Sequence, residues 1–193
     1  MSLRSRGLLL LPVGAFVVHQ LRYRIAYGPQ ASAQLAAQGH SYLDSFAPWL
    51  VLLLCLATGT FLARIAQALA TGRPAERGRS FGAVWVVSST LLVAIYAVQE
   101  FLEGLVAAGH PAGLAGIVGH GGWWAGIVAA GVGAAIAALL HVGTAVVDAF
   151  ARAATSRRAR LAFPHLRPVA SASVVRPSPL ASARAGRAPP LSA

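Results

Sequence analysis

Four long apolar runs dominate this chain, each near the ~20 residues needed to cross roughly 30 Å of hydrocarbon. They cover residues 7–27, 46–69, 81–108 and 122–150. A soluble domain carries about 25% charged residues, whereas this chain of 193 residues has 11% charged and 56% hydrophobic. Such a composition cannot clothe a water-facing surface. It implies an all-α integral membrane protein, because helices satisfy their own backbone hydrogen bonds in lipid. We expect an up-down four-helix transmembrane bundle over residues 1–150. Residues 151–193 form a separate segment, rich in arginine, proline and alanine and without an acid. That composition buries too little apolar surface to order itself, so a disordered basic tail is expected. Its first part, Arg152 to Arg160, can extend the fourth span and rest on anionic lipid headgroups.

The polar punctuation sets the orientation. Arg4 and Arg6 precede the first run, Arg64, Arg73, Arg77 and Arg79 surround the turn between the second and third, and the tail follows the fourth. Arginine marks the cytoplasmic side, so both termini are expected there. All basic residues are arginine, and alanine and glycine abound, as in a GC-rich bacterial genome; the expected location is a bacterial plasma membrane. Arg4 and Arg6 before an apolar run also fit a secretory leader, with Ala31-Ser32-Ala33 as a cleavage site. His19, Gln20, Arg22 and Arg24 interrupt that pattern and favour a retained span. Cys55, the single cysteine, excludes an intrachain disulfide.

Three of the six histidines follow a glycine, at Gly39-His40, Gly109-His110 and Gly119-His120, all on the side that arginine avoids. An offset of 80 residues superposes His40 on His120 and Gln20 on Glu100, which points to a duplicated two-helix hairpin. At 1.5 Å per residue, His19, Arg22 and Arg24 in the first span reach a depth comparable to Glu100 and Glu103 in the third. His19, Arg22 and Tyr23 share one helix face; Tyr96, Glu100 and Glu103 share another. Charges at membrane depth must pair or meet water. Arg22, Arg24, Glu100 and Glu103 are therefore candidates for a structural ion pair.

The sharper expectation is a metal site. His19, His40, His110, His120, Glu100 and Glu103 supply imidazole and carboxylate ligands suited to copper or zinc, and glycine beside each loop histidine permits unusual backbone angles. A haem between two histidines fails on depth, since the rise per residue places His141 roughly 10 Å closer to the cytoplasm than His19. No nucleophile elbow, phosphate loop or dinucleotide fingerprint occurs, which points away from an enzyme. The tail lacks the aromatic interleaving of a nucleic-acid module. The expected function is an outward-facing metal-handling or metal-sensing accessory protein. Alternatives are a non-catalytic assembly subunit docking another membrane or extracytoplasmic protein, and a small transporter or channel component. In the fourth span, Gly126, Ala130, Ala134 and Ala138 form a small-residue ridge expected to carry helix packing.

Overall fold

A computed structural model describes residues 3–75, 78–106 and 110–162. All regular elements among the described residues are helices: α1 (Leu3–Tyr27), α2 (Ala31–Ala37), α3 (Ala47–Thr71), α4 (Phe81–Val106), α5 (Leu114–Val118) and α6 (Trp124–Ala162). Short 3₁₀ helices at Gly28–Gln30 and His40–Phe46 flank α2. Three helices are long and apolar enough to cross a membrane, at Ala47–Thr71, Phe81–Val106 and Trp124–Arg160. Their outward faces carry leucine, valine and isoleucine, among them Leu52, Leu62, Val98, Ile127 and Leu139. Helix α1 matches them in length but not in apolarity, because its last third holds His19, Gln20, Arg22 and Arg24.

Helix ends follow local chemistry. Pro48 sits in the first turn of α3, where its missing N–H costs nothing. Gly72 ends α3 in the left-handed region with φ 68°, its N–H donating to Ala68 O at 2.8 Å. Helix α6 passes Phe150, the expected end, and runs to Ala162. Its alanine and arginine residues favour helix, and side chains tie it to the end of α3. Thr155 Oγ1 donates to Gly72 O at 3.3 Å, Arg158 donates to Ala70 O, and Asp148 Oδ1 accepts the Ala75 N–H at 2.6 Å. The compact unit holding these contacts ends at Arg158, and a second begins at Ala159. Residues 163–193, most of the expected tail, lie outside the described residues.

The core joins Val18 of α1, Leu92 and Tyr96 of α4, and Ala125, Val128, Ala129, Ile136 and Leu140 of α6. A smaller cluster of Ala68, Val147 and Ala151 fastens α3 to α6. The small-residue ridge at the core is one position away from the expected one. Ala125, Ala129, Gly133 and Ala137 are buried, whereas Gly126 and Ala138 are exposed. Both faces of α6 repeat small residues every fourth position, and the choice between them is made by α4. There Trp85 Nε1 donates to Ala130 O at 2.9 Å and Ser89 lies against Gly133. A Cβ on Gly133 would stand 2.9 Å from Ser89 N. Gly133→Val should therefore destabilise the fold by about 1–3 kcal/mol, seen as a lower unfolding midpoint in detergent. An unchanged midpoint would show that the two backbones are not in tight contact.

Candidate metal centre

The buried stripe of α4 runs Ser88, Leu92, Tyr96, Glu100, Glu103 and so changes from apolar to charged toward the C-terminal end. Helix α1 offers the matching face: Val18, His19, Arg22 and Tyr23 are all 0–1% exposed. The Arg22 guanidinium contacts Glu100 Oε1 and lies 4.3 Å and 4.9 Å from the ring centres of Tyr23 and Tyr96. Two aromatic faces thus offset part of the loss of water around the cation. His19 Nε2 lies 3.3 Å from the same carboxylate oxygen.

The loops add the remaining histidines. Tyr23 OH donates to Gln38 Oε1 at 2.5 Å, anchoring the end of α2 on α1. Gly39 then turns the chain with φ 83°, a conformation that favours glycine. His40 consequently points inward, with Nδ1 3.1 Å from Glu103 Oε2 and its ring 4.7 Å from that of His19. His110 enters from the other loop, 5.1 Å from His40 between ring centres. Its Nδ1 donates to Pro111 O at 2.8 Å, leaving Nε2 facing Glu100 Oε2 at 3.3 Å and Glu103 Oε2 at 3.7 Å. Helix α5 closes on this loop because Gly116 has no side chain; a Cβ there would lie 2.5 Å from Pro111 O. Glu103 is oriented by two donors on Oε1, Tyr42 OH and Gln99 Nε2, the latter at 3.0 Å. Its other oxygen is left to the histidines.

This geometry has the form of a cation site. One ligand atom from each of His19, His40, Glu100 and Glu103 lies within 4.8 Å of every other, and all four residues are buried. Metal–ligand bonds of about 2.0–2.1 Å place tetrahedral ligands about 3.4 Å apart, so the set needs only a modest contraction. Several polar atoms of the clustered residues lack hydrogen bonds: both nitrogens of His19, His40 Nε2, His110 Nε2 and Glu103 Oε2. Leaving such groups unsatisfied costs about 1–3 kcal/mol each. A bound cation would satisfy several at once. Burial, reinforced by neighbouring His19 and opposed by Glu100, pushes the His40 pKa down to about 3. His40 is then neutral at pH 7 and keeps a lone pair to offer.

His19, His40, His110, Glu100, Glu103 and Arg22 are brought together as one cluster. His120 and Arg24 do not join it. His120 is exposed, adopts φ 50° itself, and has Nδ1 3.3 Å from Tyr27 OH. The left-handed turns near it fall on His120 and Gly121, whereas Gly119 has φ −68°, so this loop directs its histidine elsewhere. The two histidines aligned by the 80-residue offset thus occupy different environments. Arg24, two positions from Arg22 and on the other side of α1, is exposed and outside the ion pairs with Glu100 and Glu103. Tyr42, Gln99 and Gln38 are the supporting residues that sequence reasoning missed. Gln99 lies four residues before Glu103, a spacing that places the two side chains together on a helix. His141 donates from Nδ1 to Ala137 O at 3.0 Å and packs on Phe81, away from the cluster. Comparison with protein-family models, curated proteins and solved structures finds no match for this chain.

Proposed function

We propose that this chain is a four-helix, up-down bundle of a bacterial plasma membrane that holds a copper or zinc ion at its outer end. In this reading it acts as a metal-handling or metal-sensing accessory protein with both termini in the cytoplasm. The bundle reading is supported by α1 and α4 meeting at their C-terminal ends through Arg22 and Glu100. The start of α6, at Ala125, packs in the same core as Tyr96. The exposed Arg152 and Arg157 at the far end of α6 suit a surface of anionic headgroups.

The observation that carries the metal reading is the convergence of four buried ligand groups, three of which, His19, His40 and Glu103, keep a polar atom without a hydrogen bond. Imidazole and carboxylate together suit zinc or copper better than magnesium or calcium. Elemental analysis of protein purified in detergent without added chelator tests it. Copper or zinc near one equivalent is expected. Metal-free protein that also fails to retain either ion after dialysis against it would overturn the reading.

The Arg22–Glu100 pair favours a second reading, in which the cluster only fastens α1 to α4 within an assembly subunit. Buried ions at membrane depth need a partner whatever else they do. Glu100 is both half of the pair and a metal ligand, so loss of metal on replacing it would favour the first reading, whereas a stable, metal-free native protein would favour the second.

A further inference from the structure

Beside the cluster, and sharing His19 with it, a cleft of about 590 Å³ opens between α1, α3 and α4. Its walls are apolar and partly aromatic, with Phe16, Phe46, Trp49, Leu50 and Leu53. The wall is accessible from the side, since Trp49 is 64% and Phe46 is 47% exposed. Three polar residues interrupt the lining: His19, Tyr42 and Gln99. Two of them touch, with Gln99 Nε2 donating to Tyr42 OH at 3.4 Å. From His19 to Pro12, which also lines the cleft, α1 rises about 10 Å. The cleft is thus polar at one end and apolar along its length.

We infer that this cleft binds a lipid-soluble quinone or quinol, a planar ring with hydrogen-bonding oxygens and an apolar tail. The volume lies in the usual range of about 300–1,000 Å³ for small-molecule sites, which pair apolar walls with a few convergent polar groups. Phe16, Phe46 and Trp49 supply faces against which a flat ring stacks. An acyl chain would use the walls but leave the polar end unanswered. His19 is 1% exposed, lines the cleft, and its Nδ1 has no hydrogen-bond partner. A neutral imidazole accepts at one nitrogen and donates at the other, so His19 can meet either a ring hydroxyl or a ring carbonyl. Tyr42 OH donates to Glu103 and accepts from Gln99 Nε2, which leaves one lone pair for a quinol hydroxyl. The site stands on the cleft and these three side chains and does not require the metal.

Trp49 is the reporter, because a quinone stacked on an indole quenches its fluorescence. The full chain in detergent is titrated with a decyl-substituted benzoquinone, using Trp49→Phe to subtract the other tryptophans. Saturable quenching is expected. Ala15→Phe, which fills the cleft wall one turn from His19 without replacing a metal ligand, should weaken it at least about tenfold, in line with hot-spot losses above 1.4 kcal/mol. Its helical circular dichroism and elution volume should match those of wild type. Decanol, with a chain but no ring, should not compete. Non-saturating quenching, identical in wild type and in folded Ala15→Phe, would overturn the inference, as would displacement of the quinone by equimolar decanol. Metal content of Ala15→Phe should equal that of wild type, so failure of the quinone site is read separately from failure of the metal site.

Discussion

Replacing Glu100 with leucine should cost about 3–5 kcal/mol of stability, because it strands the buried Arg22 charge without its partner. Arg22 is 1% exposed and its guanidinium contacts Glu100 directly. The stacked faces of Tyr23 and Tyr96 soften this loss but cannot replace a carboxylate. The expected readout is a marked drop in thermal midpoint and in recovered monodisperse protein. Arg22→Leu should be nearly as damaging, since it leaves Glu100 facing only His19 and His110. The double variant Arg22→Leu/Glu100→Leu should recover most of the stability, as paired buried ions replaced by apolar residues commonly do. A double-mutant cycle separates the pairwise contribution from the individual losses. Additive losses in the cycle would show that the two residues do not act as a pair.

The double variant His40→Ala/Glu103→Gln should lose bound copper or zinc while keeping its helices. It removes two of the four converging ligand groups. Altering a residue that merely orients a ligand costs about 10–100-fold in affinity, so losing two ligands should weaken binding by more than about 100-fold. The scaffold should survive, because neither residue belongs to the Arg22–Glu100 pair or to the apolar core. One buried polar atom without a partner, His40 Nε2, disappears with the ring. Metal content and the unfolding midpoint, measured on one sample, check both halves of this expectation. Equal metal content in variant and wild type would place any ion elsewhere.

The helices and the cluster differed in how openly the sequence declared them. The runs that became α3, α4 and α6 were legible because lipid permits few alternatives to a hydrogen-bonded helix. Arg22 and Glu100 were legible by depth, since rise per residue converts sequence distance into height. The loops were not. His40, His110 and His120 share the same preceding glycine, yet only the first two turn inward. That outcome depends on Gly39 at φ 83°, on the Tyr23–Gln38 bond and on α5 closing over His110. None of these has a periodic signature. The ridge of α6 was read one position off because small residues line two adjacent faces and Trp85 and Ser89 decide between them. Tyr42 carried no signal, because nothing local shows that its hydroxyl reaches Glu103, 61 residues away.

The graded stripe of α4 has one further consequence, for how the chain finds its place along the bilayer normal. Two apolar helices in lipid can slip past each other by a turn, about 5.4 Å, with little change in what their side chains touch. Here a slip one way would set Arg22 against Tyr96, and a slip the other way would bring Glu103 to Arg22 only by breaking its contacts with Tyr42 and His40. The ion pair and the contacts of Glu103 together work as a registration key: they allow one vertical alignment of α1 with α4 and reject the neighbouring ones.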